Sequence, residues 1–98
     1  MPLAKSQKRP DPPRSISALA ASQEILLAWS APFRVSGVSG YRIYQNVESN
    51  LVDTIRDVGT TQARIKAVPS VKTAFYISTI SEGGLESIKV QVIGEASV

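Results

Sequence analysis

The chain has 98 residues, 43% of them hydrophobic, with no cysteine, no histidine and a net charge of +3. This length and composition suit one globular domain with one core. The absence of cysteine and histidine excludes disulfides, Cys/His zinc sites, and acid–base or nucleophilic catalysis that depends on histidine. No apolar run is long enough to form a membrane-spanning helix, so no membrane partner is expected.

Residues 1–14 are predicted to form an extended, basic, proline-rich arm, followed by a domain over 15–98. Four prolines disfavour regular structure in the arm, namely Pro2, Pro10, Pro12 and Pro13. The arm carries the whole net charge, because the remaining residues are electrically balanced. The basic isoelectric point therefore reflects a tail rather than a basic face, and no nucleic-acid partner is expected. Two interpretations of the arm stay open: a disordered leader, or a segment that orders on a partner.

Strand and turn signals begin at Ser15, without any stretch of helical period. Ile16, Ala18 and Ala20 alternate in the first predicted strand. The second strand carries the alternation Ile25, Leu27, Trp29 and is stopped by Pro32. A flexible loop is predicted over 34–40, and the third strand starts at Tyr41.

Four further strands are predicted in the second half of the chain. They cover 51–58, 63–67, 73–80 and 88–94, and turns at 48–50, 59–61, 69–70 and 82–84 separate them. Phe75 and Ile77 share one face of the sixth strand, and Ile88, Val90 and Val92 alternate in the seventh. Seven short strands spaced by turn residues predict an antiparallel β-sandwich.

Residues 12–94 resemble a fibronectin type III domain. The resemblance rests on Pro12-Pro13 before Ile16, Ile25-x-Leu27-x-Trp29 with Pro32 after it, Val38-Ser39-Gly40-Tyr41-Arg42-Ile43-Tyr44, and Gly83-Gly84-Leu85-Glu86-Ser87. It implies an all-β, seven-stranded, immunoglobulin-like sandwich used for adhesion, spacing or protein contact. The chain has no Arg-Gly-Asp, so the cell-adhesion tripeptide of some family members does not carry over.

The sequence departs from this family at one structural position. The family usually has a tyrosine at the start of the sixth strand, whose hydroxyl bonds back to the upstream backbone. Thr73 stands there in this chain. The corner is therefore held by Thr73, held by Tyr76 in a shifted register, or weaker than usual.

Trp29 is expected to centre the core between the two sheets, because an indole can bury roughly 200 Å². The other expected core residues all occupy inward-facing positions of predicted strands. They are Ile16, Ile25, Leu27, Tyr41, Ile43, Ile65, Phe75, Ile77, Ile88 and Val90.

The carboxylates do not form a recognisable reaction centre. Asp53 and Asp57 share a strand face about 13 Å apart, too far for a glycosidase pair. Glu82 and Glu86 supply too few oxygen ligands for calcium. No catalytic residue, cofactor site or metal site is therefore expected, and the chain is not expected to be an enzyme.

Binding to a protein partner is expected through the arm and the loops, which a sandwich holds rigidly at its ends. The residues assigned to this role are Lys5, Lys8, Arg9, Arg14, Arg34, Gly83, Gly84 and Leu85. Edge strands offer a second mode, by strand addition. Arg42, Tyr44, Arg64 and Lys66 could form one basic, aromatic surface if neighbouring strands aligned them. They are instead interpreted as ordinary exposed strand residues, because the body of the chain is electrically balanced and has few aromatic residues available for stacking.

The predicted function is a non-catalytic structural or protein-binding module. The N-terminus lacks the apolar segment of an export signal, although such modules usually act outside cells. A bacteriophage virion component would reconcile the two observations, because it is made in the host cytoplasm. It would be a capsid-decoration, tail or fibre protein that docks on larger subunits. A closed homo-oligomer within the assembly would be compatible with this function. The alternatives are an extracellular spacer within a larger secreted protein, such as a carbohydrate-degrading enzyme, and a cytosolic scaffold that binds peptides along an edge strand.

Overall fold

The structure of the protein is a computed structural model that describes residues 9–98. Within this range the chain folds into seven β-strands that form two antiparallel sheets, which confirms the predicted sandwich. The strands are β1 (Arg14–Ala21), β2 (Glu24–Ser30), β3 (Val38–Gln45), β4 (Leu51–Ile55), β5 (Gln62–Lys66), β6 (Lys72–Ser81) and β7 (Val90–Glu95). No helix in the described range is long and apolar enough to cross a bilayer.

One sheet has the strand order β1-β2-β5 and the other the order β4-β3-β6-β7. Strand alternation directs one face of each sheet toward the core. In the first sheet Leu27 lies opposite Ala18 and Ala63. In the second, Ile43 lies opposite Ile77.

Trp29 and Tyr41 form the aromatic centre of the core. Their ring centroids are 5.2 Å apart with an interplanar angle of 69°, an edge-to-face contact. The Tyr41 hydroxyl donates to the Val58 carbonyl oxygen at 2.8 Å, and burial raises the pKa of Tyr41. The Trp29 indole N–H is buried and has no acceptor in hydrogen-bonding geometry among the described residues.

Most of the expected core residues lie in the core. Ile25, Leu27, Trp29, Tyr41, Ile43, Phe75 and Ile77 are buried in one cluster. Ile16 and Ile65 are half-buried and pack against it. Val90 is half-buried at the start of β7.

The assignment of Ile88 to the core is wrong, because its side chain is 64% exposed. Ser87 pairs with Thr79 across the sheet, whereas Val90 pairs with Ile77. Two steps along β6 therefore match three steps on the facing segment, as in a β-bulge. The extra residue shifts the alternation, so that Ser87 and Val90 face inward while Ile88 faces solvent.

Predicted boundaries also differ from the structure at several strands. Arg14 belongs to β1 rather than to the arm, and β4 ends at Ile55. Val38–Gly40, predicted as loop, begins β3. Gly40 was predicted to lie in this loop, but in the structure it lets the backbone of β4 come close to that of β3. A Cβ at position 40 would lie 1.8 Å from the Ile55 carbonyl oxygen.

Four of the buried hydrophobic residues of the core were not expected there: Val38, Tyr44, Ile80 and Ala96. Tyr44 lies on the outer face of its sheet, where an exposed ring was expected. The Lys89 ammonium sits 4.5 Å from its ring centroid, and its hydroxyl bonds Glu86. The segment after β6 thus covers a ring that strand alternation alone would leave in solvent.

Thr73 lies at the start of β6, and its hydroxyl donates to the Val71 carbonyl oxygen at 3.3 Å. Tyr76 does not replace it, because the Tyr76 hydroxyl accepts from Gln91 Nε2 on the exposed face of the sheet. The Ser70 amide adds a 3.0 Å bond to the Ala96 carbonyl oxygen. This corner is held by the local bond of Thr73 and by the bond from Ser70 to the segment after β7, rather than by a tyrosine.

Candidate functional site

One end of the sandwich brings together segment 9–13, the β2–β3 loop and the hairpin after β6. β2 and β6 both run toward this end, so the loops that follow them are neighbours, and the Glu82 amide donates to the Gly37 carbonyl oxygen at 2.8 Å. The three segments enclose an open cleft of about 660 Å³. This loop-end cleft is lined by Arg9, Pro10, Asp11, Arg34, Val35, Ser36, Gly37, Val38, Ser81, Glu82, Gly83 and Leu85.

Most of the residues predicted to bind a partner meet at this end. Arg9, Arg34, Gly83 and Leu85 line the loop-end cleft, and Gly84 lines a smaller hollow beside it with Arg9 and Leu85. Lys5 and Lys8 lie outside the described residues. The remaining residue of the set, Arg14, lies in β1, where its Nε donates to the Ala31 carbonyl oxygen at 2.8 Å.

Arg34 joins the β2–β3 loop to the N-terminal segment. Its Nε and Nη2 each lie 3.1 Å from a carboxylate oxygen of Asp11, a two-point ion pair. The hydrogen bond to Asp11 and the charge of its carboxylate raise the pKa of Arg34. The side chain remains 73% exposed, so the pair lies in solvent. Such pairs contribute little to stability, but this one fixes the direction of the guanidinium.

Phe33 is the surface feature that the sequence interpretation missed. Its ring is 82% exposed, although the preceding Pro32 is buried. The guanidinium carbon of Arg14 lies 4.0 Å from the ring centroid, a cation–π contact. An aromatic residue directly after the proline that ends a strand was the available signal, since such a side chain leaves the sheet at its rim.

Two glycines set the shape of the loops around the cleft. Gly37 has a φ of 77° and Gly84 a φ of 90°, a conformation that favours glycine. The Gly84 amide donates to the Ser81 carbonyl oxygen. The Ser81 amide in turn donates to the Leu85 carbonyl oxygen at 2.8 Å. Ser81 Oγ accepts from the Leu85 amide as well, so the hairpin is closed by several bonds. The cleft wall is therefore well defined.

A second polar cluster lies on the outer face of the four-stranded sheet, around Glu86. Its carboxylate accepts hydrogen bonds from the hydroxyls of Tyr44 and Ser78, at 2.6 and 2.5 Å, and from Arg42 Nη1 at 3.3 Å. Burial acts to raise the pKa of Glu86, but the bonds from Ser78 and Tyr44 and the charges of Lys89 and Arg42 hold it below its ordinary value. The cluster fastens the segment after the hairpin onto the sheet.

Within the described residues, the polar side chains singled out in the sequence form neither a metal site nor one basic surface. No group of three or more acidic, histidine or cysteine side chains there could hold a metal ion. Asp57 accepts bonds from the Gly59 amide and the Thr60 hydroxyl and closes a turn. Arg42 and Tyr44 lie in one sheet and Arg64 and Lys66 in the other, so these four do not form one surface.

Solved structures share this fold at low sequence identity. A fibronectin type III-like protein from Clostridium thermocellum is 19% identical, with a TM-score of 0.68 over 93% of this chain and 97% of that one. The spore cortex lytic enzyme SleM of Clostridium perfringens is 19% identical, with a TM-score of 0.72 over 86% of this chain. A β-1,2-glucanase from Parabacteroides distasonis is 17% identical, with a TM-score of 0.74 over 90%.

This chain spans only 28% of the length of SleM and 13% of that of the glucanase. No family model matches the chain, and no curated protein matches it in sequence. The two sheets, their strand order and these structural likenesses together give the chain a fibronectin type III-type fold.

Proposed function

We propose that this chain is a non-catalytic module that binds another protein through its loop end. The observation that carries the proposal is the loop-end cleft, where three separate segments place charged and apolar side chains around one concave surface. Clefts that combine apolar walls with a few polar groups are typical binding sites. The rigid sandwich beneath holds these loops in place.

The structural neighbours favour one setting for such a module. SleM and the β-1,2-glucanase are long proteins named as enzymes, and each contains a domain of this shape. We therefore favour a spacer or contact module that works beside a larger enzyme acting on carbohydrate, outside the cell. The virion setting, with capsid or tail subunits as partners, gains no support from these structures, none of which is named as a virion protein.

Site-directed photo-crosslinking tests the proposal. A photo-reactive phenylalanine analogue replaces Ser36 or Glu82 at the loop end in the organism that encodes the chain, and the crosslinked products are identified by mass spectrometry. We expect the same protein partner to be captured from both positions. Capture of no protein from either position would contradict the proposal.

Ser49 and Val68 provide the matched controls. Both are exposed, and both lie at the opposite end of the sandwich, beyond the ends of β3 and β5. We expect little or no crosslinking there. A partner captured only from these two positions would move the binding surface to the other end. The identity of the captured protein also distinguishes the two proposed settings. An enzyme would support the enzyme-associated module, and a capsid or tail subunit would support the virion component.

A further inference from the structure

Three exposed side chains stand side by side at the loop end: Phe33, Arg34 and Val35. They follow one another in the chain immediately after the buried Pro32. Arg14 stacks on the Phe33 ring, and Arg34 is oriented by Asp11. A large exposed ring flanked by two guanidinium groups combines the residue types that dominate protein-binding hot spots.

The charged side chains around this patch are more basic than acidic. The described loop end holds Arg9, Arg14 and Arg34 against Asp11 and Glu82, and Asp11 is already engaged by Arg34. In the sequence, residues 1–14 carry the entire net charge of +3. An acidic partner would be attracted to this end, whereas a second copy of the chain would bring two positive ends together.

We propose that the loop end binds an acidic segment of another protein, whose carboxylates contact Arg34 and Arg9 and whose apolar side chain packs between Phe33 and the cleft. This inference rests on the proposed function and adds the chemistry of the partner. The cleft supplies apolar contacts through Val35, Val38 and Leu85. The exposed guanidinium of Arg34 has further N–H groups to offer, since its bonds to Asp11 use Nε and Nη2.

Fluorescence anisotropy with a short labelled peptide, Gly-Glu-Asp-Leu-Glu-Asp-Gly, tests the inference on the full chain. A second peptide with glutamine and asparagine in place of the acids measures the charge requirement. We expect the acidic peptide to bind at least about tenfold more tightly than its neutral counterpart at low salt, and the difference to shrink as salt is added.

Two variants with matched controls locate the contact. Arg34→Glu and Phe33→Ser are each expected to weaken binding by about tenfold or more. Arg64→Glu matches the first, since Arg64 is 72% exposed and also pairs with one carboxylate, that of Glu24. Leu19→Ser matches the second, since Leu19 is 65% exposed on another face. Both controls are expected to stay within about twofold of wild type.

Besides failure of the acidic peptide to bind, four results would overturn the inference. They are equal losses in the Arg34 and Arg64 variants, unchanged binding by Phe33→Ser, tighter binding of an oligothymidine than of the acidic peptide, and a Phe33-dependent dimer in sedimentation. If the peptide fails while crosslinking still captures a partner at the loop end, the partner chemistry is wrong and the proposed function stands. If crosslinking also captures no partner, both the inference and the proposed function are contradicted.

Discussion

Trp29 and Phe33 lie four residues apart in the chain, yet they have opposite environments. Trp29 is 5% exposed and packs edge-to-face on Tyr41, whereas Phe33 is 82% exposed and stacks with the guanidinium of Arg14. Pro32 ends the strand between them, so the first ring enters the core and the second leaves the sheet at its rim. The comparison separates an aromatic that is buried in the core from one that stays exposed at the surface.

Replacing Trp29 by alanine is expected to have the largest effect. Loss of a buried indole typically costs about 3–5 kcal/mol, against a total stability of about 5–15 kcal/mol for a domain. We expect the variant to be largely unfolded at 37 °C in thermal denaturation followed by circular dichroism. A melting temperature close to that of wild type would remove Trp29 from the centre of the core.

Tyr41→Phe sharpens the comparison, because it keeps the ring against Trp29 and removes only the hydroxyl. The Val58 carbonyl oxygen would lose its 2.8 Å hydrogen bond from that hydroxyl. We expect the free energy of unfolding in urea to fall by about 1 kcal/mol. Tyr76→Phe is the control, since the Tyr76 hydroxyl bonds Gln91 on the exposed face and should contribute less. A larger loss in the control would reverse the assignment.

Glu86 is intermediate between the buried Trp29 and the exposed Phe33, because its carboxylate is half-buried on the outer face of the four-stranded sheet. Its pKa lies below the ordinary value in the folded state, so its ionised form stabilises the fold. That contribution is present above the unfolded-state pKa and is lost as the pH falls through the folded-state pKa. We expect Glu86→Gln to lower the free energy of unfolding by about 1 kcal/mol at neutral pH and to flatten the acid side of the stability profile.

Urea denaturation at a series of pH values measures this effect. Glu48→Gln is the control, because Glu48 is exposed in the turn between β3 and β4. The control should leave both the stability and the acid slope close to wild type. An unchanged acid slope in the Glu86 variant would show that its hydrogen bonds do not depend on ionisation.

Phe33→Ser is expected to have the smallest effect on stability, and it completes the comparison with Trp29. An exposed ring under a guanidinium contributes about 0.5–1 kcal/mol, and most surface changes stay within about 0.5 kcal/mol. We expect the urea midpoint to move little while peptide binding falls. A loss of stability as large as that of Trp29→Ala would make Phe33 a structural residue.

Strand alternation predicted much of the fold, because successive side chains point to opposite faces of a strand and the apolar face packs against the core. Ile25, Leu27, Trp29 and Ile43 all entered the core in this way. The method failed at Ile88, where one extra residue opposite β6 shifts the alternation. It also failed at Tyr44, since the residues that cover its ring come from more than forty positions away in the chain.

The loop end was predicted in part. The sequence indicated Arg34 and the glycines of the hairpin as loop residues, since turns and charges are local signals. It could not indicate that segment 9–13 would pack beside these loops, or that Asp11 would pair with Arg34 across twenty-three positions. It also passed over Phe33, because a single aromatic outside a strand carries no periodic signal.

The sequence by itself determined that the chain is an all-β sandwich around Trp29, because alternation and turn residues act over a few neighbouring positions. The tertiary structure alone decided which loops meet, which outer-face ring is covered and where one bulge reverses a strand's faces. These features depend on contacts between segments far apart in the chain, and those contacts exist only once the two sheets have packed.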